Sequence, residues 1–256
     1  MKAVILAGGM GTRLREETEF RPKPMVEIGG RPILWHIMKT LSSQGINDFV
    51  ICLGYKGDYI KDFFMNYEAR THDITVKLGE NEGLIQHSES PAENWTVTLA
   101  NTGATTMTGG RINRIQKYVA DERFLCTYGD GVADIDLNAL TKFHEEHGKT
   151  ATVTSVRPTN RFGAMQIDKN NLVTEFAEKP VSEKRVNGGY FIFEPSIFNY
   201  LSDESILEKE PLEKLSSSGE LKAYKHDGFW QPMDTYRETI ELNELWDSNQ
   251  APWKIW

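Results

Sequence analysis

Cysteine and histidine are scarce in this 256-residue chain, which has two of the first and six of the second. The cysteines, Cys52 and Cys126, sit in separate apolar runs, Phe49-Val-Ile-Cys-Leu53 and Phe124-Leu-Cys-Thr127. No paired spacing points to zinc or to a redox motif, so both are expected as buried free thiols in a reducing cytoplasm. Long hydrophobic runs are missing as well. The apolar run before Gly8 is five residues, too short for a signal peptide, and no later stretch approaches a membrane span. Nor is there an excess of positive charge: 29 Lys and Arg against 37 Asp and Glu leave a net charge of -8. That balance argues against nucleic acid as a partner, and no amphipathic basic stretch points to a membrane. What remains, 39% hydrophobic and 26% charged, suits a single domain with one substantial core and an appended substrate-binding part.

The first twenty-five residues organise the rest. A buried strand, Ala3-Val4-Ile5-Leu6-Ala7, runs into Gly8-Gly9-Met10-Gly11-Thr12-Arg13-Leu14 and then Arg21-Pro22-Lys23-Pro24-Met25. Glycines at a strand end let successive backbone N–H groups form a partly positive nest close to an anion. Thr12 adds a hydroxyl donor, Arg13 a planar fork matched to phosphate oxygens, and Lys23 an ammonium confined by two prolines. The stretch reads as a triphosphate cradle. It is not a P-loop, which ends in Gly-Lys-Ser/Thr, nor a dinucleotide fingerprint, which needs a third glycine where Leu14 stands.

Strands alternating with helical patterns predict an α/β fold, a Rossmann-like doubly wound, mostly parallel sheet with helices on both faces. Strands are expected at 48–53, 74–78, 95–99, 124–128 and 151–156, and helices at 32–41, 59–67, 111–119 and 137–147. Residues 81–93 read as a polar excursion, 165–168 and 172–176 as a hairpin, 195–201 and 206–217 as helices, and 221–224 as a strand. Ligands of such sheets bind beyond the carboxyl ends of the strands, where Gly8 to Arg13 and Tyr128-Gly129-Asp130-Gly131 both fall.

The loop from Asn101 to Arg111, rich in threonine and glycine and including Thr106, Gly110 and Arg111, offers neutral donors and acceptors fit for a nucleobase edge, or for helix capping. Asp130, fixed between Gly129 and Gly131 opposite the cradle, has the hard oxygen chemistry of a Mg²⁺ ligand. Asp134 and Asp136 are expected to cap the helix that follows. In the second half, Arg161-Phe-Gly163, Glu178-Lys179-Pro180 and Asn187-Gly188-Gly189 stand out: Glu178 and Lys179 read alone as a solvated surface pair, or as an acceptor for hydroxyls beside a cation for a phosphate, and Gly188 and Gly189 let the backbone approach a ring. Asp234 reads as an N-cap, or as a second Mg²⁺ carboxylate if it folds back beside Asp130. Two tryptophans, Trp253 and Trp256, lie on a tail expected to dock on the body or on a partner subunit.

The run Leu6-Ala-Gly-Gly-Met-Gly-Thr-Arg-Leu14, with Pro22-Lys-Pro-Met-Val26 and Ile28-Gly-Gly-Arg-Pro-Ile33, resembles the signature of the sugar-nucleotide pyrophosphorylases, nucleotidyltransferases acting on sugar 1-phosphates. Tyr128 to Asp134, Arg161 to Gly163, Glu178 to Pro180, Asn187 to Gly189 and Trp230 to Thr235 extend the likeness over most of the chain. Within the family the chain is most similar to the cytidylyl branch. The resemblance implies CTP and α-D-glucose 1-phosphate as substrates, Mg²⁺ on Asp130 and Asp234, and a product destined for the 3,6-dideoxyhexoses of O-antigen. It also implies nucleotide binding by residues 6–13 (Leu6, Ala7, Gly8, Gly9, Met10, Gly11, Thr12, Arg13) with Lys23, Thr106, Gly110, Arg111 and Gly129. Sugar-phosphate binding would fall to Gly163, Glu178, Lys179, Asn187, Gly188 and Gly189. Arg13 and Lys23 would be catalytic, residues 1–135 would form the nucleotide half and 136–256 the sugar half, and the assembly would be a homo-oligomer, up to a hexamer. A uridylyl- or thymidylyltransferase of the same family and a non-catalytic sugar-nucleotide sensor stay open as alternatives.

Overall fold

The computed structural model describes residues 1–79, 83–87, 93–119, 122–159, 162–178 and 180–256, with backbone alone at Arg13, Arg15, Glu16, Leu84 and Gln86. The strands that matter are β1 (Lys2–Leu6), β2 (Asp48–Leu53), β3 (Thr96–Asn101), β4 (Phe124–Tyr128), β5 (Gly131–Ala133), β6 (Ala151–Val156), β7 (Val186–Phe193), β8 (Leu221–Lys225) and β9 (Trp230–Pro232). Among the described residues, seven of them form one sheet in the order β8-β6-β7-β4-β1-β2-β3. β4, β1, β2 and β3 run parallel, and β7 lies antiparallel to β4 and β6. The expected α/β architecture is what forms, with helices on both faces.

The period of two along β1 shows why. Ala3 and Ile5 point into one core with Ile33, Leu34, Ile37, Met38 and Leu41 of α1 (Ile33–Ser43). Val4 and Leu6 point into the other, with Ile112 of a helix at Thr108–Arg114 and Leu215 of a helix at Glu210–Ser217. A strand buried on both faces reads as a continuous apolar run, and each such Ile, Leu or Val contributes about 1.5–3 kcal/mol. Cys52 and Cys126 are buried in the second core as free thiols. Burial pushes Cys52 up to about 12 and raises Cys126 as well, so neither is a thiolate near neutral pH. No helix among the described residues is long and apolar enough to cross a membrane.

Several local expectations change. Within the polar excursion, Gly83–His87 pairs antiparallel with Asp73–Lys77, while 81–82 and 88–92 lie outside the described residues. Asp136 caps the helix at Leu137–His147 by accepting from Ala139 N at 3.0 Å. Asp134 does not; its Oδ1 lies 3.1 Å from His226 Nε2. At the last helix, Tyr236–Asp247, the N-cap is Thr235 and not Asp234, because Thr235 and Glu238 complete a reciprocal capping box.

The tail docks on the body, not in solvent. Trp253 is 0% exposed. Its indole N–H donates to His36 Nδ1 at 3.3 Å and its carbonyl accepts from Thr40 Oγ1 at 3.1 Å, both on α1. His36 Nε2 lies 2.8 Å from Ile28 O, so Nε2 carries the proton and Nδ1 is the acceptor. Burial lowers the His36 pKa to about 4, which keeps the ring neutral among Trp35, Trp246, Trp253 and Trp256. Of the two expected docking places, the body is the one Trp253 takes, because the ring finds there a polar partner for its N–H and an aromatic wall for its faces.

Candidate active site

Parallel register sets the site. Leu6 pairs with Tyr128 on one side and Cys52 on the other, and Leu53 with Asn101. The segments that follow, Gly8, Gly54, Thr102 and Gly129, therefore leave the sheet along one edge. A cavity of about 430 Å³ opens there. Its walls include Leu6, Ala7, Gly8, Gly9, Gly11, Thr12, Lys23, Thr106, Arg111, Gly129 and Asp130, all expected from the sequence. Met10 lines an adjoining hollow with Thr12, Thr18, Glu19 and Tyr55.

The glycines serve different ends. Gly11 has φ +62° and its carbonyl accepts from Thr18 Oγ1 at 3.1 Å and Leu14 N at 3.0 Å, which fixes the turn of the nest. Gly8 makes room inside the protein: an added Cβ would meet the Arg111 guanidinium at 2.3 Å. Arg111 is buried, and its fork donates to Leu53 O at 3.0 Å, Thr102 Oγ1 at 2.8 Å, Gly103 O at 2.8 Å and Gly8 O at 3.0 Å. It ties the ends of β1, β2 and β3 together under the cavity, so its donors hold the floor. Gly110 is a packing glycine: its N–H donates to Ser205 O at 3.0 Å, and a Cβ there would meet Asp203 O at 2.2 Å.

Lys23 is the centre of the site. Pro22 and Pro24 hold it in a short 3-10 turn, Lys23–Met25, and it is 7% exposed. Its ammonium donates to Asp130 Oδ2 and to Asp234 Oδ1, each at 2.6 Å. The carboxylates, 104 positions apart in the numbering, meet because β5 pairs antiparallel with β9, Gly131 opposite Pro232, and because Met233 N donates to Asp130 O at 2.8 Å. Asp234 does fold back beside Asp130, and Thr235 takes the capping role at the helix.

Past these carboxylates lies a second cavity of about 270 Å³, lined by Asp130, Asp234, Asn187, Gly188, Gly189, Tyr190 and Trp230 among others. Gly189 has φ +79°, and a Cβ there would meet the Tyr128 ring at 2.6 Å. Trp230 Nε1 donates to Gly188 O at 2.7 Å, which fixes this backbone at the cavity wall. Gly163 and Glu178 neighbour each other, a Cβ on Gly163 lying 3.0 Å from Glu178 Oε2, but neither lines either cavity. Lys179 and the Arg13 side chain lie outside the described residues.

A family model described as nucleotidyl transferase matches residues 2–244. The chain belongs to the nucleotidyl transferase family. This nucleotidyl transferase is 52% identical over 259 residues to the glucose-1-phosphate cytidylyltransferase of Salmonella typhi, with 100% of both chains covered. It is 43% identical over 258 residues to the probable glucose-1-phosphate cytidylyltransferase of Bacillus subtilis, again over 100% of both. Among solved structures, HddC from Yersinia pseudotuberculosis matches with a TM-score of 0.70 at 25% identity, covering 96% of this chain and 99% of that one.

Among the residues lining the cavities of this nucleotidyl transferase that sequence reasoning passed over are Tyr128, Glu208 and Trp230. Tyr128 and Trp230 stood inside quoted motifs, where an aromatic at a strand end beside glycine was a usable signal. Glu208 had none, since it reaches the site through a loop from residue 202 to 209 that packs on Thr108, Gly109 and Gly110.

Proposed function

We propose that the chain transfers the cytidylyl group of CTP to α-D-glucose 1-phosphate, giving CDP-glucose and pyrophosphate, the activity by which its full-length relatives are named. The observation that carries the site's part in this is the Lys23 ammonium between Asp130 and Asp234, where two cavities meet. The first cavity takes the nucleotide and the second the sugar. The attacking oxygen of the sugar 1-phosphate is already an anion, so no general base is needed and the barrier is repulsion between anions. The glycine nest takes the phosphates, Lys23 bridges the α-phosphate and the sugar phosphate, and the attack on the α-phosphorus is in line with the departing pyrophosphate. Arg13 neutralises that leaving group. Lys179 holds the sugar phosphate and Glu178 the glucose hydroxyls.

Asp130 and Asp234 would hold the Mg²⁺. Their oxygens fit it: two hard donors converge on one cation, and among the described residues no group of three or more metal-ligating side chains completes a protein-only cage, which leaves positions for phosphates. When bound, the ion offsets charge on the α- and β-phosphates.

Exposed Val76 and Leu78 beside one hairpin, and Met165 and Phe176 on another, support contact between copies in a homo-oligomer. Two unpaired thiols agree with a cytoplasmic setting, and the product suits 3,6-dideoxyhexose synthesis for O-antigen. Residues from both sides of position 135 line each cavity, which supports treating 1–256 as one catalytic unit.

Pyrophosphate release in Mg²⁺ and glucose 1-phosphate, with CTP, UTP, dTTP or ATP in separate reactions, tests the activity. We expect release with CTP. Release with UTP or dTTP in its place would move the chain to another branch of the family, and no release with any nucleotide would overturn the enzymatic reading.

A further inference from the structure

The first cavity holds one carboxylate that the transfer reaction does not use. Glu208 lines it together with Thr106, Met107, Thr108, Tyr128 and Ile206. Two hydroxyls hold that carboxylate from opposite neighbours: Thr108 Oγ1 donates to Oε2 at 2.6 Å, and the Tyr128 hydroxyl donates to Oε1. Burial, and then the Glu208 charge, raise the Tyr128 pKa, so the phenol keeps its proton and stays a donor. Leu207 N donates to Thr108 Oγ1 at 2.9 Å and so fixes that hydroxyl in turn.

The electrostatics divide the cavity. Phosphates repel a carboxylate and are drawn to the Lys23 end. The neutral part of the nucleotide is left for the wall that carries Glu208, where the apolar side chains of Met107 and Ile206 suit the face of a flat ring. Thr108 and Tyr128 spend their hydroxyl protons on Glu208. An ionised carboxylate has about four lone-pair sites, of which these hydroxyls take two. The Glu208 carboxylate therefore still offers acceptors to the cavity. A pyrimidine with an exocyclic amine gives it a donor, and one with a carbonyl at the same position brings oxygen against oxygen.

Resting on the proposed reaction, we propose that Glu208 is the specificity-determining residue that accepts from the 4-amino group of cytosine and disfavours the 4-oxo group of uracil and thymine. Thr108 and Tyr128 are its positioning residues.

The test is the ratio of kcat/KM for CTP and UTP. Glu208→Gln, whose amide offers a donor as well as an acceptor, is expected to lower the CTP:UTP ratio by roughly 10- to 100-fold. An unchanged ratio overturns the proposal. So does a variant whose CTP:UTP ratio holds while its CTP:dCTP ratio collapses, because the carboxylate then reads ribose. Should Glu208→Gln fail to fold, the wild-type enzyme decides with the triphosphate of 2-pyrimidinone riboside, which carries hydrogen at position 4. Its kcat/KM is expected between those of CTP and UTP, since it loses the attraction without the repulsion; a value equal to that of CTP, or below that of UTP, overturns the proposal. Failure of the wild type to release pyrophosphate with CTP would instead break the reaction on which this rests.

Discussion

The first cavity takes much of its wall from one short stretch, residues 6–12 with Met10 turned to the adjoining hollow, whereas the second cavity is assembled from separated segments around 127–131, 187–190 and 230–234. In the first, backbone does most of the shaping, and a glycine pattern announces it. In the second, geometry comes from pairing: β7 against β6 and β4, and β5 against β9. Register of that kind is decided by distant partners and shifts every side chain if it slips by one residue. Lys23 belongs to both cavities, through carboxylates that only the second construction brings together.

Changes at the junction, at the floor of the first cavity and at the wall of the second should therefore separate cleanly. Lys23→Ala, at the junction, is expected to lower turnover by about two to three orders of magnitude, the cost of removing a transition-state donor; steady-state kinetics with both substrates would measure it, and near-normal kcat would remove Lys23 from the reaction. Arg111→Met removes the buried guanidinium that ties the carbonyls of Leu53, Gly103 and Gly8 together. It should destabilise the fold by about 3 kcal/mol, read by urea unfolding, and raise KM for CTP more than KM for glucose 1-phosphate. Equal effects on the two KM values would mean that the floor is shared. The smallest effect is at the wall: Trp230→Phe removes only the bond to Gly188 O. It should cost about 1 kcal/mol, seen as a roughly fivefold rise in KM for glucose 1-phosphate with KM for CTP unchanged. A matching rise for CTP would erase the distinction between the cavities.

The same contrast explains what the sequence made legible. The strands at Asp48–Leu53, Phe124–Tyr128 and Ala151–Val156 fall where apolar runs between turn signals put them. The glycine turn that lines the first cavity was equally plain, because its conformation is local. Legibility failed where a side chain's role depends on a distant partner. Arg111 looked like a ligand-reading cation; it lines the cavity, and its guanidinium also donates to the ends of three strands, which nothing local announces. Gly110 looked like part of a binding loop, yet the backbone at Asp203 and Ser205 explains it. Asp234 as N-cap was an avoidable misreading, since Thr235-x-x-Glu238 is a capping-box pattern and leaves the preceding aspartate for other work. Glu208 was invisible, because nothing near it in the chain says that its loop crosses to Thr108 and Tyr128.

The His36 and Trp253 contact spans 217 positions, and the Thr40 contact 213. The helix that covers the first strand is thus synthesised long before part of its hydrophobic cover. A nascent chain that has made β1 and α1 still shows water the Trp35 and His36 face that Trp246, Trp253 and Trp256 pack on, and closing so long a loop slows folding. That face of α1 waits for residues 246–256, so during synthesis a chaperone would find it open.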